Sequence, residues 1–189
     1  MSQNFLLHNN PDPEDLDVLQ SMIAGEQLLE TLRQRTGCPA ISFSTFRDNY
    51  RILVPREYIY VVLQCLKEAF GFDMLVDITA VDYLYYPDAR HRFGVVYCLL
   101  NTQTGQRLIV KTFLDEPDLN LPSAFSLWKA ADWLEREVYD MFGIIFEGHP
   151  DLRRILLPES FADFPLRKDY PLRGRGERHD FPAISRAES

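Results

Sequence analysis

The chain predicts an α+β fold: a small, mostly antiparallel sheet with helices on one face, followed by an irregular Pro/Arg-rich C-terminal arm. Three observations predict it. Apolar residues recur at helical spacing in some stretches and crowd into short β-rich runs in others, in the order helix, hairpin, helix, three strands, helix. At 189 residues and 46% hydrophobic content, the chain can bury one ordinary core and still carry an extension. Beyond Gly148, prolines recur at 150, 158, 165, 171 and 182, each fixing φ and removing an amide donor, so long helices and central strands are excluded there. The expected division is a flexible N-terminus over 1–13, a head domain over 14–146 and an extended docking arm over 147–189.

Asp12-Pro13-Glu14 has the form of a helix N-cap with proline at the first helical position. Leu16, Leu19, Ile23, Leu28 and Leu32 continue a helical stripe, and Gly37 ends it. The runs 41–46 and 50–54 flank Arg47-Asp48-Asn49 and predict a hairpin. Pro55 opens a second helix through Phe70, buried along Ile59, Val62, Leu63 and Leu66, with Gly71 just past its end. The runs 74–83, 93–100 and 107–114 predict three strands. The last two are joined by a tight turn at Gly105, and a longer loop through Pro87-Asp88 joins the first two.

The last helical region is expected to begin around Leu121-Pro122-Ser123. At 100° per residue, Leu127, Ala130, Ala131, Leu134, Val138, Met141 and Phe142 share one arc of about 120°. Glu135 and Glu137 fall at opposite margins of that arc, Arg136 points directly away from it, and Gly143 supplies the stop. A strand-like piece, Ile144-Ile145-Phe146, follows. The arm then carries Ile155, Leu156, Leu157, Phe161, Phe164, Leu166, Tyr170 and Leu172, too apolar to leave in water. Its packing partner is expected on another polypeptide, so a head without Gly148–Ser189 should still fold. The residues from Glu177 lose that apolar content and are expected to fray.

Net charge is −8, but it is unevenly spread. Residues 1–152 hold 12 Lys/Arg against 22 Asp/Glu, and residues 153–189 hold 8 against 6. An acidic head with a mildly basic arm argues against nucleic acid as a partner, because phosphate binding needs a much stronger positive field. The start of the chain has no secretory signal pattern, and no run approaches the roughly 20 apolar residues that span a bilayer. Cys38, Cys65 and Cys98 stand about thirty residues apart without a C-x-x-C pair. That spacing makes neither a disulfide framework nor a local zinc or iron–sulfur motif.

Candidate chemistry concentrates between Glu135 and Pro171. Glu135, Glu137 and Asp140 could form a general acid/base cluster only if they shared a pocket, and the two glutamates diverge around the helix. Pairing with Arg153, Arg154 or Arg167 in partly buried bidentate bridges is the better use. His149, alone between Gly148 and Pro150, reads as a turn residue or hydrogen-bond donor rather than a metal ligand. Arg153-Arg154 and Arg167-Lys168 alternate with Asp151, Asp163 and Asp169, which favours salt bridges between protein segments over a phosphate groove. Two other readings use the same residues: a stand-alone enzyme using Glu135, Glu137 and His149, and a nucleic-acid adaptor using the basic arm.

The run Glu135-Arg136-Glu137, Asp140-Met141-Phe142, His149, Arg153, Ile155-Leu156 resembles the signature of the 30-kDa subunit of respiratory complex I, known as the C subunit in bacterial proton-pumping NADH dehydrogenases. Phe164-Pro165-Leu166-Arg167-Lys168-Asp169-Tyr170-Pro171-Leu172 also resembles that family's Pro-Leu-Arg-Lys-Asp-Tyr stretch. The resemblance implies a hydrophilic peripheral-arm subunit that scaffolds the quinone-reducing module of an enzyme coupling NADH-to-quinone electron transfer to proton translocation. It implies no active site and no cofactor in this chain; NADH, FMN, iron–sulfur clusters and quinone belong to the other subunits. The implied partner is the 49-kDa subunit (the D subunit), with the B and I subunits nearby. Membrane association runs through the complex only, on the cytoplasmic face of the inner membrane. Glu135, Arg136, Glu137, Asp140, His149, Arg153, Arg154, Arg167, Lys168, Asp169 and Tyr170 carry over as interface or structural positions. Some relatives are fused to the 49-kDa subunit, and a chain ending at Ser189 is expected to be the unfused type. Related subunits of ferredoxin-dependent photosynthetic complexes and membrane-bound hydrogenases are the alternative.

Overall fold

The computed structural model describes residues 13–47 and 49–176, with side chains from Gly25 onward except those of Phe46 and Asp48. Asp12 of the expected N-cap and the residues from Glu177 lie outside the described residues, as does the N-terminus apart from Pro13. Helix α1 (Pro13–Thr36) begins at the expected proline, and Gly37 follows it at φ +67°, a conformation that costs glycine nothing. Strands β1 (Ser42–Phe46) and β2 (Asn49–Leu53) form the predicted antiparallel hairpin. Arg56–Tyr58 make one 3-10 turn after Pro55, and α2 (Ile59–Phe70) continues from it to a left-handed cap at Gly71.

Strands β3 (Met74–Asp82), β4 (Phe93–Leu100) and β5 (Arg107–Leu114) complete a five-stranded sheet in the order β1-β2-β5-β4-β3. Every pairing is antiparallel except β2 with β5, whose parallel register the crossover through α2, β3 and β4 makes possible. One face of this sheet is buried. Phe93, Val95, Tyr97 and Leu99 alternate along β4, beside Leu108, Val110 and Leu114 on β5 and Ile52 on β2. Ile59, Val62, Leu63 and Leu66 of α2 enter the same core, as the helical stripe predicts.

The last helix departs from expectation. It is α3 (Ala131–Phe142), starting ten residues later than the sequence pattern suggests. Asn120–Pro122 instead form β6, paired in parallel with β7 (Ile145–Glu147). The Ser123 N–H extends that ladder to the Glu147 carbonyl at 2.8 Å. Tight turns then occupy the space before the helix. Leu127 and Trp128 both donate to the Ala124 carbonyl at 2.9 Å, and the Trp128 indole reaches the Asp73 carbonyl at 3.1 Å. Leu127 is therefore buried ahead of the helix, and Ala130 is exposed rather than part of its apolar stripe. No helix among the described residues is long and apolar enough to cross a membrane.

Leu66 is fully buried between α2 and the sheet. Leu66→Ala should lower the free energy of unfolding by about 2–5 kcal/mol through lost burial and the cavity left behind. Urea denaturation with an unchanged m-value is the check.

Candidate functional site

Helix α3 is covered on two opposite sides. Ala131, Glu135, Val138 and Phe142 face the sheet core at i, i+4, i+7 and i+11. Asp140 lies about 180° from Ala131 at 100° per residue, yet it too is fully buried. What buries it is the arm. After β7 the chain turns at Gly148 (φ +82°) and returns to the start of α3, where His149 Nε2 lies 3.0 Å from the Asp132 carbonyl. His149 Nδ1 accepts from the Asp151 N–H at 3.0 Å, which leaves the proton on Nε2 as donor to Asp132.

From there the arm follows α3 toward its C-terminus. Arg136 Nε and Nη2 donate to the Arg153 and Arg154 carbonyls, both at 3.1 Å. Asp140 accepts Arg154 Nη1 at 2.7 Å through one oxygen. Through the other it accepts the backbone N–H groups of Ile155, Leu156 and Leu157 at 3.1, 2.8 and 2.9 Å. Burial opposes its ionisation, but Arg154 and the three amides outweigh that and hold its carboxyl below the usual range. Arg154 also donates to the Asp163 carbonyl at 3.0 Å, so one guanidinium pins two bends of the arm.

The arm ends its run over the last carbonyls of α3, groups that a helix terminus leaves unpaired. The Leu166 N–H reaches the Met141 carbonyl at 3.2 Å, and Arg167 Nε reaches that of Phe142 at 2.6 Å. The Lys168 N–H then donates to Asp82, a carboxylate buried at the end of β3. An alternating chain of charges locks this end: Asp169 to Arg92 at 2.8 Å, Arg92 to Glu116 at 2.6 Å, Glu116 to Arg167 at 3.0 Å. Arg92 holds the Asp169 carboxyl below its ordinary range. Tyr170 packs on Phe161, itself buried, with ring centroids 6.1 Å apart.

The arm thus packs along its own head, which corrects the expectation that its packing partner lies on another polypeptide. It supplies the second half of α3's burial, and removing it would expose what α3 hides. The predicted Arg–carboxylate pairing holds for Asp140 but not for the glutamates. Arg153 makes only an exposed bridge to Asp151 at 2.9 Å. Glu137 is exposed, with no partner among the described residues. Glu135, at the margin of the apolar arc as expected, is nevertheless fully buried and without a cation. It accepts from Ser123 Oγ and the Ala124 N–H, both at 2.6 Å. Burial pushes its pKa from the ordinary 4.5 up to about 7 despite these two donors.

Asp82, Arg92 and Glu116 are absent from the sequence-derived set. Asp82 did leave a signal, as it occupies a core-facing position in the alternation of β3. Arg92 and Glu116 left none, because they meet the arm only through the fold. Among the described residues no group of His, Cys, Asp and Glu could hold a metal ion.

Fold and site together define an α+β head with a C-terminal arm strapped along its last helix by buried carboxylate–arginine contacts. Residues 52–176 match the family described as the respiratory-chain NADH dehydrogenase 30 Kd subunit. The chain is 41% identical over 153 residues to the NADH-quinone oxidoreductase C subunit of Citrifermentans bemidjiense, covering 81% of this chain and 93% of that relative. It is 49% identical over 130 residues to NADH-quinone oxidoreductase subunit 5 of Thermus thermophilus, covering 66% of this chain and 62% of that relative. A solved trypsin-resistant fragment (1-134) of Nqo5 superposes with a TM-score of 0.58 at 44% identity, over 67% of this chain and 98% of the fragment. A chain of an archaeal respiratory membrane complex, the membrane-bound sulfane sulfur reductase, matches with a TM-score of 0.63 at 27% identity, over 86% of this chain and 94% of that one. The chain belongs to the respiratory-chain NADH dehydrogenase 30 Kd subunit family.

Arg154→Met should destabilise the chain by about 3 kcal/mol, the low end for stranding a buried charge, because the three amides remain on Asp140. Adding Asp140→Asn should recover part of that loss in a double-mutant cycle measured by urea denaturation. For Glu135 the folded pKa is raised, so the protonated native state is favoured. Its contribution is full below pH 4.5 and is lost as pH rises through about 7. Glu135→Gln should therefore gain stability relative to the parent chain as pH goes from 5 to 8, read from urea midpoints at each pH; a constant difference would refute the assignment.

Proposed function

We propose that the chain acts as a non-catalytic, scaffolding subunit in the peripheral arm of an NADH-quinone oxidoreductase. The observation that carries this reading is the use made of the motif. Asp140, Arg154, Arg136, His149 and Arg167 spend their hydrogen bonds on fixing the arm. Glu135 spends its own on the 123–124 turn. None is left converging on a pocket where a substrate could meet both an acid and a base. Redox chemistry then falls to other subunits holding FMN, iron–sulfur clusters and quinone and receiving NADH, with proton translocation a property of the whole enzyme.

While its inner side grips α3, the strapped arm turns Leu156, Leu166 and Leu172 outward, at 63%, 51% and 101% exposure. Trp133, 68% exposed, stands on the part of α3 that the arm leaves open. Exposed apolar groups on a pre-ordered backbone suit an obligate interface. Its occupant is proposed to be the 49-kDa subunit, with the B and I subunits adjacent, the whole seated peripherally at the cytoplasmic face of the membrane. A second reading, an equivalent subunit of a complex with another electron donor, draws on the likeness to the sulfane sulfur reductase chain; the lower identity there favours the NADH-linked assignment.

Leu156→Asp tests the interface directly, since Leu156 contributes a backbone amide to Asp140 but leaves its side chain in solvent. The variant should stay within about 0.5 kcal/mol of the parent in stability, as exposed substitutions do. It should no longer co-purify with the 49-kDa subunit from detergent-solubilised membranes. Full retention of the complex would place the interface elsewhere.

A further inference from the structure

The sheet face opposite the core carries a groove that the arm does not touch. Its volume is about 400 Å³, and its walls include Leu53, Tyr83, Tyr86, His91 and Phe113, with Lys111 among the lining residues. Gly94 makes the site possible. A Cβ there would meet Lys111 Cε at 2.8 Å, Tyr83 at 3.0 Å and Phe113 at 3.3 Å, so its absence is what lets the lysine stem lie between the two rings. The Lys111 ammonium sits 4.5 Å from the Tyr83 centroid and 4.6 Å from that of Phe113, and donates to the Tyr83 hydroxyl at 2.5 Å. No carboxylate pairs with it among the described residues. Arg90 on the lining is likewise unpaired, and the one carboxylate there is Asp88. Asp115, just outside, is engaged by His91 and by the Arg92 N–H. The rim is apolar, with Leu53, Tyr86 and neighbouring Val81 exposed.

A half-buried ammonium held by two rings and a hydroxyl, with no carboxylate bound to it among the described residues, is a site prepared for an anion. We infer that this groove receives an acidic peptide segment of a neighbouring subunit, its carboxylate pairing with Lys111 and its apolar side chains resting on Leu53 and Tyr86. The inference builds on the proposal that the chain works inside an oxidoreductase complex, and it adds a second contact surface whose lining includes no arm residue. Charge decides among occupants. A second copy would bring an identical cationic groove to a self-complementary contact, setting like charge on like.

The unmodified chain provides the test. Lysine acetylation by an N-hydroxysuccinimide ester would be quantified by mass spectrometry in the purified complex and in the free full-length chain, with Lys129 as reference. A carboxylate at ion-pair distance raises an ammonium pKa by about one unit or more, so Lys111 should react about tenfold more slowly in the complex. A carbodiimide should also join Lys111 Nζ to an Asp or Glu of another subunit as an amide. Equal reactivity in the two states would overturn the proposal. So would a cross-link confined to copies of this chain, or protection of the free chain by phosphatidylglycerol vesicles alone. If the chain co-purifies with other oxidoreductase subunits while Lys111 stays open, only this proposal fails; if it does not co-purify, the subunit assignment fails with it.

Discussion

The first bends of the arm, through residues 154–157, are built on one buried carboxylate. Asp140 lies on the side of α3 turned away from the sheet, where an isolated helix would meet water, and the arm's first bend is built around it. Its two oxygens accept one guanidinium and three successive amides, the three amides sharing one oxygen. Three consecutive N–H groups can converge on one oxygen only if the backbone curls around it, so the shape of 155–157 is a consequence of the charge. Among the described residues the arm has no helix or strand to satisfy its own amides, and Asp140 stands in for one.

The two buried acids of α3 sort by which partner reaches them. Asp140 meets a cation that the chain brings back fourteen residues later, and its ionised form is favoured. Glu135 faces the core, where no arginine can follow without being buried as well, and two neutral donors do not offset its desolvation. It fixes the turn between β6 and α3 all the same. An acid that needs no charge to accept those hydrogen bonds serves a turn as well as an ionised one would.

Most of the head was legible because its signals are local. The hairpin, α2 with its Gly71 cap and the three long strands follow from alternation, helical spacing and glycine placement, all satisfied within a few residues. The start of α3 was not legible, because Leu121 fits a helical stripe as readily as the parallel bridge to Phe146 that claims it. The arm shows the same limit at longer range. Its arginines and the acid at Asp140 were visible, and the pairing type could be inferred. Which acid each arginine meets depended on the arm doubling back along α3, and that turn is set by contacts between residues far apart in sequence. Arg92, Glu116 and Asp82 illustrate it, since each looks like an ordinary strand or loop residue until Lys168 and Asp169 arrive beside it.

An arm strapped to its own head differs physically from one that is free until it binds. A loose segment loses conformational entropy on docking, roughly 1–2 kcal/mol per residue for the backbone alone. Here much of that ordering is already done by Asp140, Arg136, Arg167 and the charge chain through Arg92. A partner meeting Leu156 and Leu166 therefore finds them held on a rigid frame, and more of the apolar contact can appear as affinity. The motif that looked like a possible reactive cluster is better understood as that frame. Asp140, Arg154 and Arg167 face inward to shape the arm, while Leu156, Leu166 and Leu172 face outward from it.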